Sequence, residues 1–156
     1  MELFESTIVY IDGACEPHNP GGHMGWGVWC REPELRLSGY APPHPMNSNN
    51  VAEYRALVEA LRVLRVLSEH IRGPIEIRSD SQLLVKQMSG MWDVNKGRYV
   101  DTYREAMRLY AQYPSQSLIF HWVPREANTA ADELSHAEFR SRGIRVPEHD
   151  RRKPRW

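Results

Sequence analysis

Cysteine is scarce in this chain: Cys15 and Cys30 are the only two among 156 residues. Two thiols make neither a disulfide framework nor a zinc cluster, and they suit a reducing compartment as buried side chains. Net charge is absent as well, with Lys+Arg 20 against Asp+Glu 20. Without net charge there is no overall field to attract a polyanion, so any nucleic-acid binding needs a local patch or bound cations. No apolar run is long enough to span a bilayer, and the first residues, MELFEST, carry acids where a secretory signal needs a positive region. There is no internal repeat. The expectation is a soluble, cytoplasmic protein with no membrane partner, acting as a monomer.

What is present suits one domain with a proper core: 41% of residues are hydrophobic and 26% charged. Residues 7–11, TIVYI, are β-branched or aromatic throughout and read as a strand covered on both faces. Asp12 stands at its exit, followed at once by Gly13; the ordinary reading of that pair is a turn with the glycine left-handed. A turn-rich loop over 16–22 leads to strands at 26–30 and 35–40, an antiparallel meander. After the stiff APPHP at 41–45, a long helix is predicted over 51–69. Leu57, Ala60, Leu61, Leu64 and Leu67 form its buried stripe, with Glu53 at the start. A strand at 75–78 stops on Ser79-Asp80, and a short helix follows over 81–88. A helix at 98–113 carries Tyr99, Tyr103, Met107 and Tyr110 on one face; a last strand at 118–123 and a final helix at 126–142 complete the domain, assigned to residues 1–142. Residues 143–156 are basic and carry two prolines, the composition of a flexible tail. This order predicts an α/β fold, a five-stranded mixed sheet with three antiparallel strands, then two parallel, and helices on both faces. Sites in such sheets form beyond the carboxyl ends of the central strands.

Four acids fall in comparable places. Asp12 and Asp80 follow strands that a right-handed crossover would lay side by side, Glu53 is in the first turns of the crossover helix, and Asp132 shares a helix edge with Asn128, Ser135 and Phe139. Each has a local alternative. Asn50 with Glu53 and Ser79 with Gln82 have the form of capping boxes, Asp80 suits a helix N-terminus, and Asp132 suits a solvated helix face. Together the four are harder to assign to local roles. Clustered carboxylates repel, and the common remedy is a hard divalent cation; oxygen donors without histidine or cysteine favour Mg²⁺ or Mn²⁺ over zinc. A pair of such ions serves phosphoryl transfer, and brings positive charge to a neutral chain.

The segments YIDGACEPHNPGGHMGWGVW, NSNNVAEYRALVEAL, IRSDSQLLVKQM and HWVPREANTAADELS resemble type 1 ribonuclease H, and the likeness extends over nearly all of residues 6–142. The resemblance implies the mixed-sheet fold and endonucleolytic cleavage of the RNA strand of RNA/DNA hybrids with two Mg²⁺ ions, Mn²⁺ substituting. By motif match Asp12, Glu53, Asp80 and Asp132 are the implied metal ligands, Asp12 bridging both ions. It also implies hybrid contacts at Gly13, Cys15, Asn19, Asn49, Asn50 and Gln82, where amides answer the donor and acceptor of a 2′-hydroxyl, and a DNA-strand phosphate contact at Ser48. Two departures stand out. The family's basic insertion is replaced by a short, mildly basic stretch at 90–98, and its histidine loop is missing, so Arg125 is the candidate cation for product release. The alternatives are a catalytically weak hybrid- or RNA-binding module of the same fold, and a related exonuclease; the latter's Asp-x-Glu pair is lacking at Asp12-Gly13-Ala14.

Overall fold

The β-branched run at the start of the chain lies at the centre of the sheet. The computed structural model describes residues 6–71 and 73–147. Strand β1 (Thr7–Glu16) pairs antiparallel with β2 (His23–Cys30), and β2 with β3 (Leu35–Ala41). On the other side β1 pairs parallel with β4 (Ile75–Ser79), and β4 with β5 (Leu118–Trp122). The sheet order is β3-β2-β1-β4-β5, the mixed sheet expected from the order of elements.

One expectation is corrected here. Asp12 does not end its strand: β1 runs on to Glu16 because residues 12–16 pair with β2, from Asp12 opposite Gly27 to Glu16 opposite His23. The parallel pairing with β4 stops earlier, at Ile11 opposite Ser79. Asp12 is thus the first residue of β1 beyond its parallel neighbour, at the carboxyl end of the paired strands.

Helix α1 (Asn49–Val66) packs on β1 and β2, and α3 (Val100–Tyr110) packs on α1. Val9, Ile11, Val28, Ile77 and Phe120 of the sheet share one apolar core with Leu57, Ala60, Leu61 and Leu64 of α1, the stripe expected from their spacing; Leu67 is only the C-cap. Tyr99, the N-cap of α3, and Tyr103 gather around Tyr54, which stacks on Tyr99 (5.8 Å between centroids) and meets Tyr103 edge-on (5.7 Å). Its hydroxyl donates to Gln87 Oε1 at 2.6 Å, in the short helix α2 (Gln82–Met88).

Helix α4 (Thr129–Ser141) covers β1, β2 and β3 from the opposite face. The two faces are set by pleating: Asp12 pairs with Gly27 and Ala14 with Gly25, and a Cβ on Gly25 would lie 2.0 Å from the Ser135 carbonyl oxygen. At Gly143 (φ +69°) the chain turns left-handed. The Gly143 N–H bonds to the Arg140 carbonyl and the Ile144 N–H to the Phe139 carbonyl at 2.8 Å, which closes α4 where the sequence placed its end. Of the basic tail expected beyond it, residues 148–156 lie outside the described residues.

Candidate active site

Glycine 13 controls how close the crossover helix comes. It pairs with Trp26 and faces α1, and a Cβ there would lie 2.3 Å from the Ala52 carbonyl carbon and the Glu53 nitrogen. Its backbone is not left-handed, so the turn reading does not hold, nor is a substrate-facing role needed to explain it. What demands glycine is the backbone of α1, seated on β1 at Glu53. The cap of α1 differs from the capping box read from the sequence: Ser48 Oγ accepts from the Val51 N–H at 3.1 Å, and Asn50 and Glu53 lie inside the helix. Glu53 is therefore not spent on a cap. It is buried at 1% exposure, beside Asp12 at 0%.

Asp80 follows β4 at once. Ser81 is the N-cap of α2, its Oγ accepting from the Leu84 N–H, and Ser79 Oγ accepts from the Ser81 N–H. Residue 80 is held at both ends. Trp122 Nε1 donates to its carbonyl at 3.1 Å, and Asn128 Nδ2 donates to its Oδ2 at 3.3 Å. The same Asn128 amide donates to the Ile11 carbonyl at 2.9 Å, so one buried side chain ties the end of β4 to the residue before Asp12. Asn128 was absent from the residues assigned a role from the sequence. Its signal was its place four residues before Asp132 on one helix edge.

These elements bring one carboxylate oxygen each of Asp12, Glu53 and Asp80 within 4.8 Å of one another, all three buried. Asp132 is not in this group. It lies on α4 at 27% side-chain exposure, its Oδ1 3.5 Å from His136 Nδ1, within one turn of the α4 residue that meets Asp12. Ser135 is that residue: its Oγ lies 3.4 Å from Asp12 Oδ2.

The donor set tests whether the family's metal fits. Three carboxylates this close repel one another unless a proton or a cation lies among them. All three offer oxygen, and no histidine or cysteine joins the set among the described residues, which suits a hard divalent ion rather than zinc. The residues fit the group.

The implied contact residues lie on β1 and the loop after it, at the starts of α1 and α2, and in the turn before α4. Asn19 Oδ1 accepts from the Asn49 N–H at 3.0 Å, so this exposed loop is pinned to the start of α1. Asn49 and Asn50 occupy the first turn of α1 and Gln82 the first position of α2, all partly exposed. Ser48 is buried beneath them. Cys15 is a buried thiol that donates to the His18 carbonyl; burial pushes its pKa up, so it stays protonated and ties down the loop. Arg125 is partly buried in the 3₁₀ turn Arg125–Ala127 that leads into α4. His121 is exposed on β5, its Nδ1 2.6 Å from Glu76 Oε1.

A family model described as reverse transcriptase-like matches residues 11–138. A ribonuclease H of Rickettsia canadensis is 30% identical over 160 residues, 93% of this chain and 96% of that protein. The chain belongs to the type 1 ribonuclease H-like family. A bifunctional protein of Mycobacterium tuberculosis is 35% identical over 134 residues, which cover 83% of this chain and 34% of that protein, so the chain spans about a third of the length of this relative. Among solved structures, LC11-RNase H1 in complex with an RNA/DNA hybrid aligns with a TM-score of 0.72 at 31% identity, covering 84% of this chain and 94% of that one. The membership and mixed-sheet fold that the four segments implied are both borne out. No helix among the described residues is long and apolar enough to cross a membrane.

Proposed function

We propose that this chain is an endoribonuclease that hydrolyses the RNA strand of RNA/DNA hybrids, leaving 5′-phosphate and 3′-hydroxyl ends. The observation that carries the reading is the convergence of three buried carboxylates from β1, α1 and the exit of β4 at the carboxyl end of the paired strands. Kinship with ribonucleases H, and with one bound to such a hybrid, supports the choice of substrate.

Asp12, Glu53 and Asp80 are the residues that would hold Mg²⁺, or Mn²⁺ in its place, with Asp132 joining from α4. Two such ions supply an activated water and stabilise the departing oxygen in phosphoryl transfer. The chain's own contribution is placement. Gly13 lets α1 set Glu53 beside Asp12, and Asn128 and Trp122 fix Asp80. Asn19, Asn49, Asn50 and Gln82 present amides to the 2′-hydroxyls of the RNA strand, and that double donor and acceptor chemistry separates a hybrid from a DNA duplex. Ser48 Oγ accepts from the Val51 N–H, and its own proton can donate to a DNA-strand phosphate. Arg125 is assigned the departing phosphate, and the chain acts as a cytoplasmic monomer.

The test compares labelled RNA/DNA, RNA/RNA and DNA/DNA duplexes with Mg²⁺ and with EDTA. Cleavage confined to the RNA of the hybrid, dependent on Mg²⁺ and lost in Asp12→Asn with an unchanged circular dichroism spectrum, is the expected outcome. Binding of the hybrid without cleavage would favour a binding module instead.

A further inference from the structure

Helix α4 carries two buried polar residues that the proposed chemistry leaves without a role, Ser135 at 0% exposure and His136 at 1%. They lie between the clustered acids and the outlying one. Ser135 Oγ is 3.4 Å from Asp12 Oδ2 and 3.0 Å from His136 Nδ1, and that nitrogen is 3.5 Å from Asp132 Oδ1. We propose that Ser135 and His136 are positioning residues that tie Asp132 to Asp12 through one chain of polar contacts, and so set the affinity of the acid cluster for its divalent ions. This inference rests on the reading that those acids hold metal.

Proton placement follows from the partners. Besides the serine, His136 Nδ1 faces the Asp132 carbonyl at 2.9 Å and the Asp132 carboxylate, and both only accept. Nδ1 therefore carries the ring's proton on this side and points it at the Asp132 carbonyl, with the carboxylate alongside. The Ser135 hydroxyl then has one proton and two acceptors, the Asp132 carbonyl at 2.7 Å and Asp12 Oδ2. A serine bonded to the carbonyl three residues back is ordinary in a helix. What is not ordinary is that the same oxygen also reaches a buried strand carboxylate and a buried imidazole.

The geometry leaves these groups little freedom. The Ser135 carbonyl oxygen would lie 2.0 Å from a Cβ at Gly25, so α4 is pressed onto β2 at this residue and the hydroxyl is held toward Asp12. The imidazole is fixed edge-on against Phe139, with centroids 5.5 Å apart. Groups that hold a ligand's carboxylate typically change metal affinity by roughly tenfold or more when removed.

The test is calorimetric titration of the full chain with MnCl₂, without nucleic acid, alongside thermal melts. Wild type is expected to bind Mn²⁺ and Asp12→Asn to lose that binding. Ser135→Ala and His136→Phe are expected to bind roughly tenfold more weakly. His136→Asn, whose amide nitrogen can take the place of Nδ1, is expected to recover most of the loss. In the pair Ser135→Ala with His136→Phe the losses are expected not to add, because one chain has been cut twice. Wild-type affinity in folded Ser135→Ala, whatever its melting temperature, would overturn the proposal while leaving the metal reading standing. No binding by wild type would overturn both.

Discussion

Alanine at Gly13 is the smallest change that should disturb both the fold and the site, and by the same displacement. The added Cβ would meet the Ala52 carbonyl carbon and the Glu53 nitrogen at 2.3 Å and the Ala52 oxygen at 2.6 Å. All three are backbone atoms, so no side-chain rotation relieves the contact. Reaching an ordinary contact of 3.4 Å from 2.3 Å requires α1 and β1 to separate by about 1 Å. Overpacking of this kind costs about 1–3 kcal/mol. For a chain of this length, 2 kcal/mol corresponds to a fall in Tm of about 4–8 °C.

The functional cost is larger because Glu53 rides on the displaced segment. Its carboxylate lies within 4.8 Å of Asp12 and Asp80, and a shift of about 1 Å in a reacting constellation can lower turnover about 10²-fold. Three assays separate this from a role for Gly13 in admitting substrate. Helix displacement lowers Tm, weakens Mn²⁺ binding and lowers kcat together, whereas loss of substrate access raises KM with Tm and metal affinity unchanged. A Gly13→Ala protein that melts within a degree of wild type and binds Mn²⁺ equally well would refute the docking argument.

Asn128→Ala should destabilise by about 1–3 kcal/mol, because it removes the donor to the buried Ile11 carbonyl, and should lower kcat by freeing the Asp80 carboxylate; urea titration and steady-state kinetics check the two effects. Saturating Mg²⁺ should raise the melting temperature, since an ion bound only by the folded cluster stabilises by about 2.7 kcal/mol at a hundred times its Kd; calorimetry with and without EDTA measures this, and Asp12→Asn should abolish the shift. Burial pushes the Tyr113 hydroxyl up to about 12, partly offset by Arg65, with its proton donated to the Leu61 carbonyl. A raised folded-state pKa means its share of stability is complete below pH 10 and lost as pH climbs toward 12. Tyr113→Phe should therefore flatten the decline of the urea midpoint across that window, and an unchanged slope would place the alkaline loss elsewhere.

The acids could be found from the sequence because their positions depend on local patterns. A β-branched run ending on an acid and a leucine stripe with a glutamate at its head each need only a few neighbours to be read. The errors came where distant partners decide. Residues 12–16, DGACE, have weak strand preference of their own, and only pairing with β2 extends β1 through them. Asn47, Ser48, Asn49 and Asn50 are all cap formers, and the choice of Ser48 is a matter of which side chain reaches the Val51 N–H once α1 is docked on Gly13. Asn128 read only as a residue on the edge of the last helix shared with Asp132, yet its amide is directed to Ile11 and Asp80 across the sheet. The misread residues share a cause. At this end of the sheet, glycines on β1 and β2 let helices from both faces approach backbone to backbone, so polar side chains that would serve local caps elsewhere reach across elements. That close approach gathers Asp12, Glu53 and Asp80, and it predicts that the substitutions most damaging to the site will lie in the small residues beneath the helices, as much as in the acids themselves.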